Sequence, residues 1–230
     1  VNSRCPLCDG TGWVERVDNI GYDGHITMVK CADPARTHLE KELERLGRVS
    51  GLLPEELAIT FKDVILTGET AQMTREAQRF LDSTGGFFTM WGGYGNGKTL
   101  ILQAAVNEFR ARGMSGTYVR MRDLLDYVRA GYDAHAKTDS QARYERFKAL
   151  PVLAIDEVDG ARMTDFAYEF RGAFLDDRYR LGLTGRAHTL FAMNCDPATL
   201  PGDIYDRLRD GRFTIFHNRD SSLRGEMGRR

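Results

Sequence analysis

Eight consecutive residues constrain this chain more than any others: Gly92-Gly93-Tyr94-Gly95-Asn96-Gly97-Lys98-Thr99. They match G-x-x-x-x-G-K-[ST], and they stand between an apolar run (Phe87-Phe88-Thr89-Met90-Trp91) and an amphipathic stretch from Thr99-Leu100 to Arg112. A strand before and a helix after are the setting this pattern needs. Glycines let successive backbone N–H groups turn inward on phosphate oxygens, and the helix N-terminus adds about half a positive charge. Lys98 has the reach to meet terminal phosphates, and the Thr99 hydroxyl suits Mg²⁺. Residues 92–99 with Leu100 are therefore the expected nucleotide-binding set.

The next feature lies some 58 residues on, where the apolar run Val152-Leu153-Ala154-Ile155 ends in Asp156-Glu157. Parallel strands carry ligands at their carboxyl ends. There Asp156 suits a Mg²⁺ role, and Glu157 is placed to polarise a water for attack on a terminal phosphate. A small-molecule kinase has less use for such a base, because its acceptor is the substrate hydroxyl. An Asn-Lys-x-Asp guanine-reading element is lacking: Asn194-Cys195-Asp196-Pro197 and Asn218-Arg219-Asp220 do not match it. Adenine is the expected base.

Short apolar runs alternate with amphipathic stretches from residue 60 onward. Strands are expected at 87–91, 117–121, 152–155, 189–194 and 213–216, and helices at 74–81, 99–112, 122–132, 140–149 and 164–179. This alternation predicts a parallel sheet covered on both faces. Hydrophobic residues make up 42% and charged residues 28% of the 230, and no apolar run approaches the roughly 18–20 residues needed to span a bilayer. Lys+Arg 32 against Asp+Glu 33 gives a net charge of −1, so nucleic-acid binding has to come from local patches.

Three of the four cysteines fall in the first 31 residues. Cys5-Pro-Leu-Cys8, followed by Asp9-Gly10-Thr11-Gly12-Trp13, has the form of a zinc knuckle. Cys31 supplies a third ligand, and His38 is the first choice for the fourth, with Asp33 and then His25 behind it. A degenerate, non-binding remnant and a redox Cys-x-x-Cys are the other readings, the last lacking the βαβ context it needs. Zinc and a free Cys195, read as a core residue, fit a reducing, cytoplasmic compartment. Residues 1–48 read as a small module ending in a charged helix at 37–48, 49–59 as a linker, and 60–230 as the α/β domain.

Taken together, residues 58–224 resemble the AAA+ ATPases of the DnaC/DnaI helicase-loader and IstB transposition-helper group. Phe61-Lys62-Asp63-Val64 is similar to the family's lead-in segment, and Phe191-Ala192-Met193-Asn194 to its sensor-1 strand. Tyr118 to Leu125 is similar to the strand and helix after the phosphate-loop helix, and Ile204 to Gly211 resembles the arginine-finger box. Family members also carry Cys-x-x-Cys-x-Gly-x-Gly-Trp tails. The resemblance implies a P-loop (AAA+/ASCE) three-layer sandwich with sheet order 5-1-4-3-2, and Asn194 beside the terminal phosphate. It implies that Arg207, with Arg209 as fallback, serves a neighbouring subunit's nucleotide. Arg224 is a candidate sensor 2. Only 14 residues follow Phe216, too few for the helical lid of larger members.

The implied activity is hydrolysis of ATP with Mg²⁺ by a DnaC-like protein that loads a replicative helicase onto single-stranded DNA and self-associates through ATP-bridged interfaces. An IstB-like transposition helper and a P-loop small-molecule kinase are the alternatives. In the family the helix after the second strand touches DNA; here Arg120, Arg122 and Arg129 with Tyr127 and Tyr132 supply cations and stacking rings. Residues 105–149 carry nine Lys/Arg against six Asp/Glu, an excess of three, so an ordinary solvated helix is the competing reading.

Overall fold

The computed structural model describes residues 13–18, 25–30, 50–133, 137–160 and 164–223. The chain divides into two compact units, Val1–Arg45 and Leu46–Arg230. In the first, β1 (Trp13–Asp18) and β2 (His25–Lys30) form an antiparallel hairpin in which Trp13 pairs with Lys30 and Asp18 with His25. The turn glycines of this region signal no strands, so the hairpin is new relative to the sequence. Cys5, Cys8, Cys31, Asp33, His38, the helix expected at 37–48 and Arg224 lie outside the described residues.

The second unit runs α1 (Gly68–Phe80), β3 (Gly86–Gly92), α2 (Lys98–Ala111), β4 (Gly116–Arg120), α3 (Met121–Asp133), α4 (Lys137–Lys148), β5 (Val152–Asp156), α5 (Asp165–Leu183), β6 (His188–Met193), α6 (Gly202–Leu208) and β7 (Thr214–Asn218). The strands form one parallel sheet in the order β4-β5-β6-β3-β7. Numbered from the phosphate-loop strand this is 2-3-4-1-5, the expected order seen from the opposite edge.

Side-chain alternation along the strands builds two cores. In β5, Val152 and Ala154 face one layer and Leu153 and Ile155 the other; in β6, Leu190 and Ala192 oppose Phe191 and Met193. The first layer is closed by α1 and α2 through Met73, Ala77, Phe80, Ile101, Leu102 and Phe109. The second is closed by α3, α5 and α6 through Met121, Leu124, Phe170, Phe174, Ile204 and Leu208. Phe88 on one face and Phe87 on the other are fully buried, each contributing about 1.5–3 kcal/mol of transfer free energy. That burial on both sides makes the three-layer sandwich.

Several boundaries depart from the periodicity: α4 begins at Lys137, α5 runs on to Leu183, and two others have a traceable cause. Helix α1 begins at Gly68, six residues before the expected start, because Asp220 caps it from 150 residues away: its carboxylate accepts the N–H of Glu69 (3.1 Å) and of Thr70 (2.7 Å). Strand β7 continues past Phe216 through His217 and Asn218, whose polarity hides them from a hydropathy reading. Asn218 is fully buried and pairs in register with Gly92. The stretch read as a linker lies on α2, where Asn107 Nδ2 donates to the carbonyls of Glu56 (2.8 Å) and Ile59 (2.9 Å).

Candidate functional site

All five parallel strands end at one edge of the sheet, and residues that follow β3, β5, β6 and β7 line a cleft of about 260 Å³. Tyr94 to Leu100, Asp156, Glu157 and Asn194 all line it, with Ile65 and Leu223 supplying apolar wall. Residues drawn from three separate loops are thus brought together.

The phosphate loop is held by packing that admits no side chain at its first glycine. Gly92 has φ +134°, and a Cβ there would stand 1.9 Å from the Asn218 carbonyl oxygen. Asn96, 1% exposed, donates from Nδ2 to that same carbonyl (3.3 Å), and Asn218 Nδ2 returns a bond to the Asn96 carbonyl (3.2 Å). Gly97 enters α2 in the left-handed region (φ +89°), a conformation that favours glycine. The first turn of α2 then offers N–H groups without helical acceptors, the standard cradle for an anion.

Lys98 is curled over this loop. Its ammonium donates to the carbonyls of Gly92 (2.8 Å) and Gly93 (2.6 Å) and to Asn96 Oδ1 (2.9 Å). Thr99 Oγ1 donates to Asp156 Oδ2 at 2.8 Å, so the hydroxyl and the carboxylate expected to share Mg²⁺ are in direct contact. A hard divalent cation takes oxygen donors of this kind, and the pair fits it.

Two further features hold the acidic strand end. Tyr118 on β4 donates to Asp156 Oδ2 (2.9 Å); burial first, then the Asp156 charge, raises the phenol's pKa, so it remains a protonated donor. In the sequence Tyr118 reads only as part of a strand, and no local signal marks its role, which arises from the β4–β5 register. Asp156 Oδ1 accepts the Glu157 N–H at 2.8 Å. Glu157 is exposed and has φ +50°, the one positive-φ residue other than glycine among those described. A side chain held in that region is strained, and such strain concentrates at functional positions.

Asn194 sits just past the end of β6 and lines the cleft. Its N–H and that of Cys195 both donate to Asp159 Oδ2, at 3.0 and 2.9 Å. Cys195, expected in the core, is half-buried in this turn because β6 has already left the sheet. Asp159 is not singled out by the sequence, where it reads as one more acid after Asp156-Glu157.

Other candidate residues stand apart. Arg207 on α6 gives both Nε (2.9 Å) and Nη2 (2.6 Å) to Asp176 Oδ1 on α5 and does not line the cleft. Arg209 is exposed, bonded to Asp206 at 3.2 Å and stacked over Tyr205. Arg120, at the carboxyl end of β4, interacts with the Tyr118 hydroxyl, which raises its pKa, and feels the Glu157 charge to a lesser degree. Arg122 and Arg129 lie on α3, where Asp126 is near both (3.9 and 3.8 Å), and Arg129 also covers the Phe166 ring at 5.0 Å. Among the described residues no group of three or more His, Cys, Asp or Glu is placed to hold a metal, and no helix is long and apolar enough to cross a membrane.

The sequence matches no protein-family profile and no curated protein. The fold does have solved counterparts. A structure of DnaI is 22% identical with a TM-score of 0.59, covering 78% of this chain and 100% of that one. AMPPCP-bound DnaA from Aquifex aeolicus is 19% identical with a TM-score of 0.61, covering 76% of this chain and 54% of that one. The DnaC helicase loader is 17% identical with a TM-score of 0.54, over 68% of this chain and 90% of that one. This chain thus spans about half the length of the DnaA structure. It has the α/β P-loop AAA+ fold that these DnaI, DnaA and DnaC structures share.

Proposed function

We propose that this chain binds and hydrolyses ATP with Mg²⁺ and acts as a DnaC-like protein in DNA replication initiation, loading a replicative helicase onto single-stranded DNA. The observation that carries the reading is the convergence of Lys98, the Thr99–Asp156 pair, Glu157 and Asn194 on one cleft. A kinase of small molecules would need the loop and Asp156 but has no use for Glu157 and Asn194 beside them. Likeness to a DnaI and a DnaC helicase loader over most of their lengths supports a loader in particular.

In this reading the 92–99 amides and Lys98 hold the triphosphate, Lys98 exchanging its loop carbonyls for phosphate oxygens. Thr99 and Asp156 hold Mg²⁺, which when bound neutralises phosphate charge. Glu157 accepts a proton from the attacking water, a role worth about 10²–10⁴-fold in rate, and Asn194 orients that water. Arg207 acts in trans on a neighbouring subunit's nucleotide, and assembly has to draw it off Asp176. Arg224 contributes as sensor 2.

Arg120, Arg122 and Arg129 form the DNA footprint. Replacing Arg122 and Arg129 together by Ala is expected to weaken single-stranded DNA binding and to lower the slope of log K against log salt by about 1.4, at roughly 0.7 for each phosphate left unneutralised. A salt titration of binding that gives the parent slope places the footprint elsewhere.

The N-terminal module docks on the helicase and binds zinc through Cys5, Cys8, Cys31 and His38. The Cys5-x-x-Cys8 spacing, with Cys31 as a third thiolate, supports the zinc reading. Metal analysis of the purified protein tests it: about one zinc per chain is expected, in keeping with a reducing, cytoplasmic setting.

The functional test is a sizing column run with ATP, with and without single-stranded DNA, followed by capture of the host's replicative helicase. Assembly on ATP and helicase capture are expected. Assembly with capture of a transposase instead favours the IstB-like reading, and a protein that stays monomeric and phosphorylates a small molecule overturns both.

A further inference from the structure

We propose that Asp159 is a positioning residue of the hydrolytic site: a single carboxylate that ties the strand end carrying Asn194 to the turn carrying Glu157. The inference rests on the hydrolytic reading above and adds to it the device that keeps the two residues in register.

The need for such a device follows from the sheet. The β6 ladder ends at Met193, paired with Trp91 on one side, while on the β5 side the last registered pair is Ile155 with Phe191. Asn194 therefore lies beyond the pairing that fixes its strand. Glu157 likewise lies beyond β5, in a tight turn closed by the Gly160 N–H on the Glu157 carbonyl (2.8 Å) and by the Val158 N–H on the Ala192 carbonyl (3.1 Å). Asp159 belongs to this turn, two residues from Glu157. Its Oδ2 accepts both the Asn194 N–H (3.0 Å) and the Cys195 N–H (2.9 Å). A carboxylate taking two main-chain N–H groups makes charge-assisted bonds, the stronger class.

The charge on Asp159 has a counterpart. Arg171 on α5 is only 2% exposed; burial pulls its pKa down and the Asp159 charge opposes that fall. The other carboxylate oxygen, Oδ1, is buried without a hydrogen-bond partner. Neither Asp159 nor Arg171 lines the cleft, so Asp159 acts through Asn194 and Glu157 and not on substrate. The consequence is specific: losing Asp159 loosens where Asn194 stands while leaving the phosphate cradle at 92–99 intact.

The test compares Asp159→Ala, which removes the acceptor, with Asp159→Asn, which keeps one acceptor oxygen and loses the charge. For each, kcat and KM for ATP, nucleotide affinity, and amide hydrogen exchange of the peptide containing Asn194 and Cys195 are measured on the full chain. For Asp159→Ala, kcat is expected to fall by about 10- to 100-fold, the cost of a misplaced catalytic group. Nucleotide affinity should stay within about twofold, and exchange at 194–195 should quicken in the nucleotide-free protein. Asp159→Asn should fall between Ala and wild type in both readouts. Wild-type turnover or wild-type exchange in Asp159→Ala overturns the proposal. So does a parallel loss of kcat, affinity and melting temperature, which marks a merely structural residue. Should Asp159→Ala not fold, the Asn variant decides on the same two readouts. A wild-type protein that hydrolyses no nucleotide refutes the ATPase reading instead, and the exchange measurement then decides by itself whether Asp159 holds the turn.

Discussion

Replacing Glu157 by Gln is expected to leave ATP binding within a few-fold of wild type while turnover falls by about 10²–10⁴. The side chain stays the same size and the φ +50° turn stays in place, but an amide cannot accept the proton of an attacking water. The cradle is untouched, because the 92–99 loop is fixed by Asn96, Asn218 and Gly92 and not by Glu157. Equilibrium binding of a fluorescent ATP analogue and phosphate release under DNA-bound conditions check the two halves separately. Turnover equal to wild type removes Glu157 from the chemistry. Lys98→Ala is the contrasting control, because it should lose binding itself.

Replacing Arg178 by Met is expected to cost several kcal/mol of stability, enough to leave little folded protein at 37 °C. Arg178 is fully buried, and its guanidinium serves four acceptors at once: Thr189 Oγ1 (3.0 Å) and the carbonyls of Lys148 (2.9 Å), Leu150 and His188 (2.8 Å). These acceptors close the end of α4, the entry to β5 and the start of β6, so one side chain fastens three elements at the sheet edge opposite the cleft. Burial pulls its pKa down to about 9, so it is charged at neutral pH. Methionine fills similar space but donates nothing, and each carbonyl left buried and unpaired costs about 1–3 kcal/mol. Against a total stability of about 5–15 kcal/mol for a domain, that is decisive. Denaturant melts of Arg178→Met and Arg178→Lys check it. The lysine variant, with fewer donors, should fall between wild type and the methionine variant, and a methionine variant with an unchanged midpoint removes Arg178 from the account of stability.

The site is legible in the sequence where it is local. Gly92 to Thr99 carries its own turn, helix start and cation within eight residues, and Asp156-Glu157 follows a buried strand directly. Asn194 and Arg207 are named through family resemblance; the structure brings the first to the cleft and leaves the second on Asp176. What stays hidden depends on residues far apart in the chain. The start of α1 needs Asp220, the phosphate loop needs Asn218, and Asp156 needs Tyr118. No window along the sequence contains both partners of any of these pairs.

Periodicity and one glycine-rich motif were enough to determine the class of fold, a covered parallel sheet with a glycine-rich loop at its carboxyl edge, because those signals repeat over a few residues. Tertiary structure alone decided which side chains back that loop and the acidic strand end. Strand order sets that outcome: β7 and β4, on opposite edges of the sheet, bring Asn218 and Tyr118 to β3 and β5. A hydrogen bond across a sheet depends on register between strands, and register is a property of the packed whole.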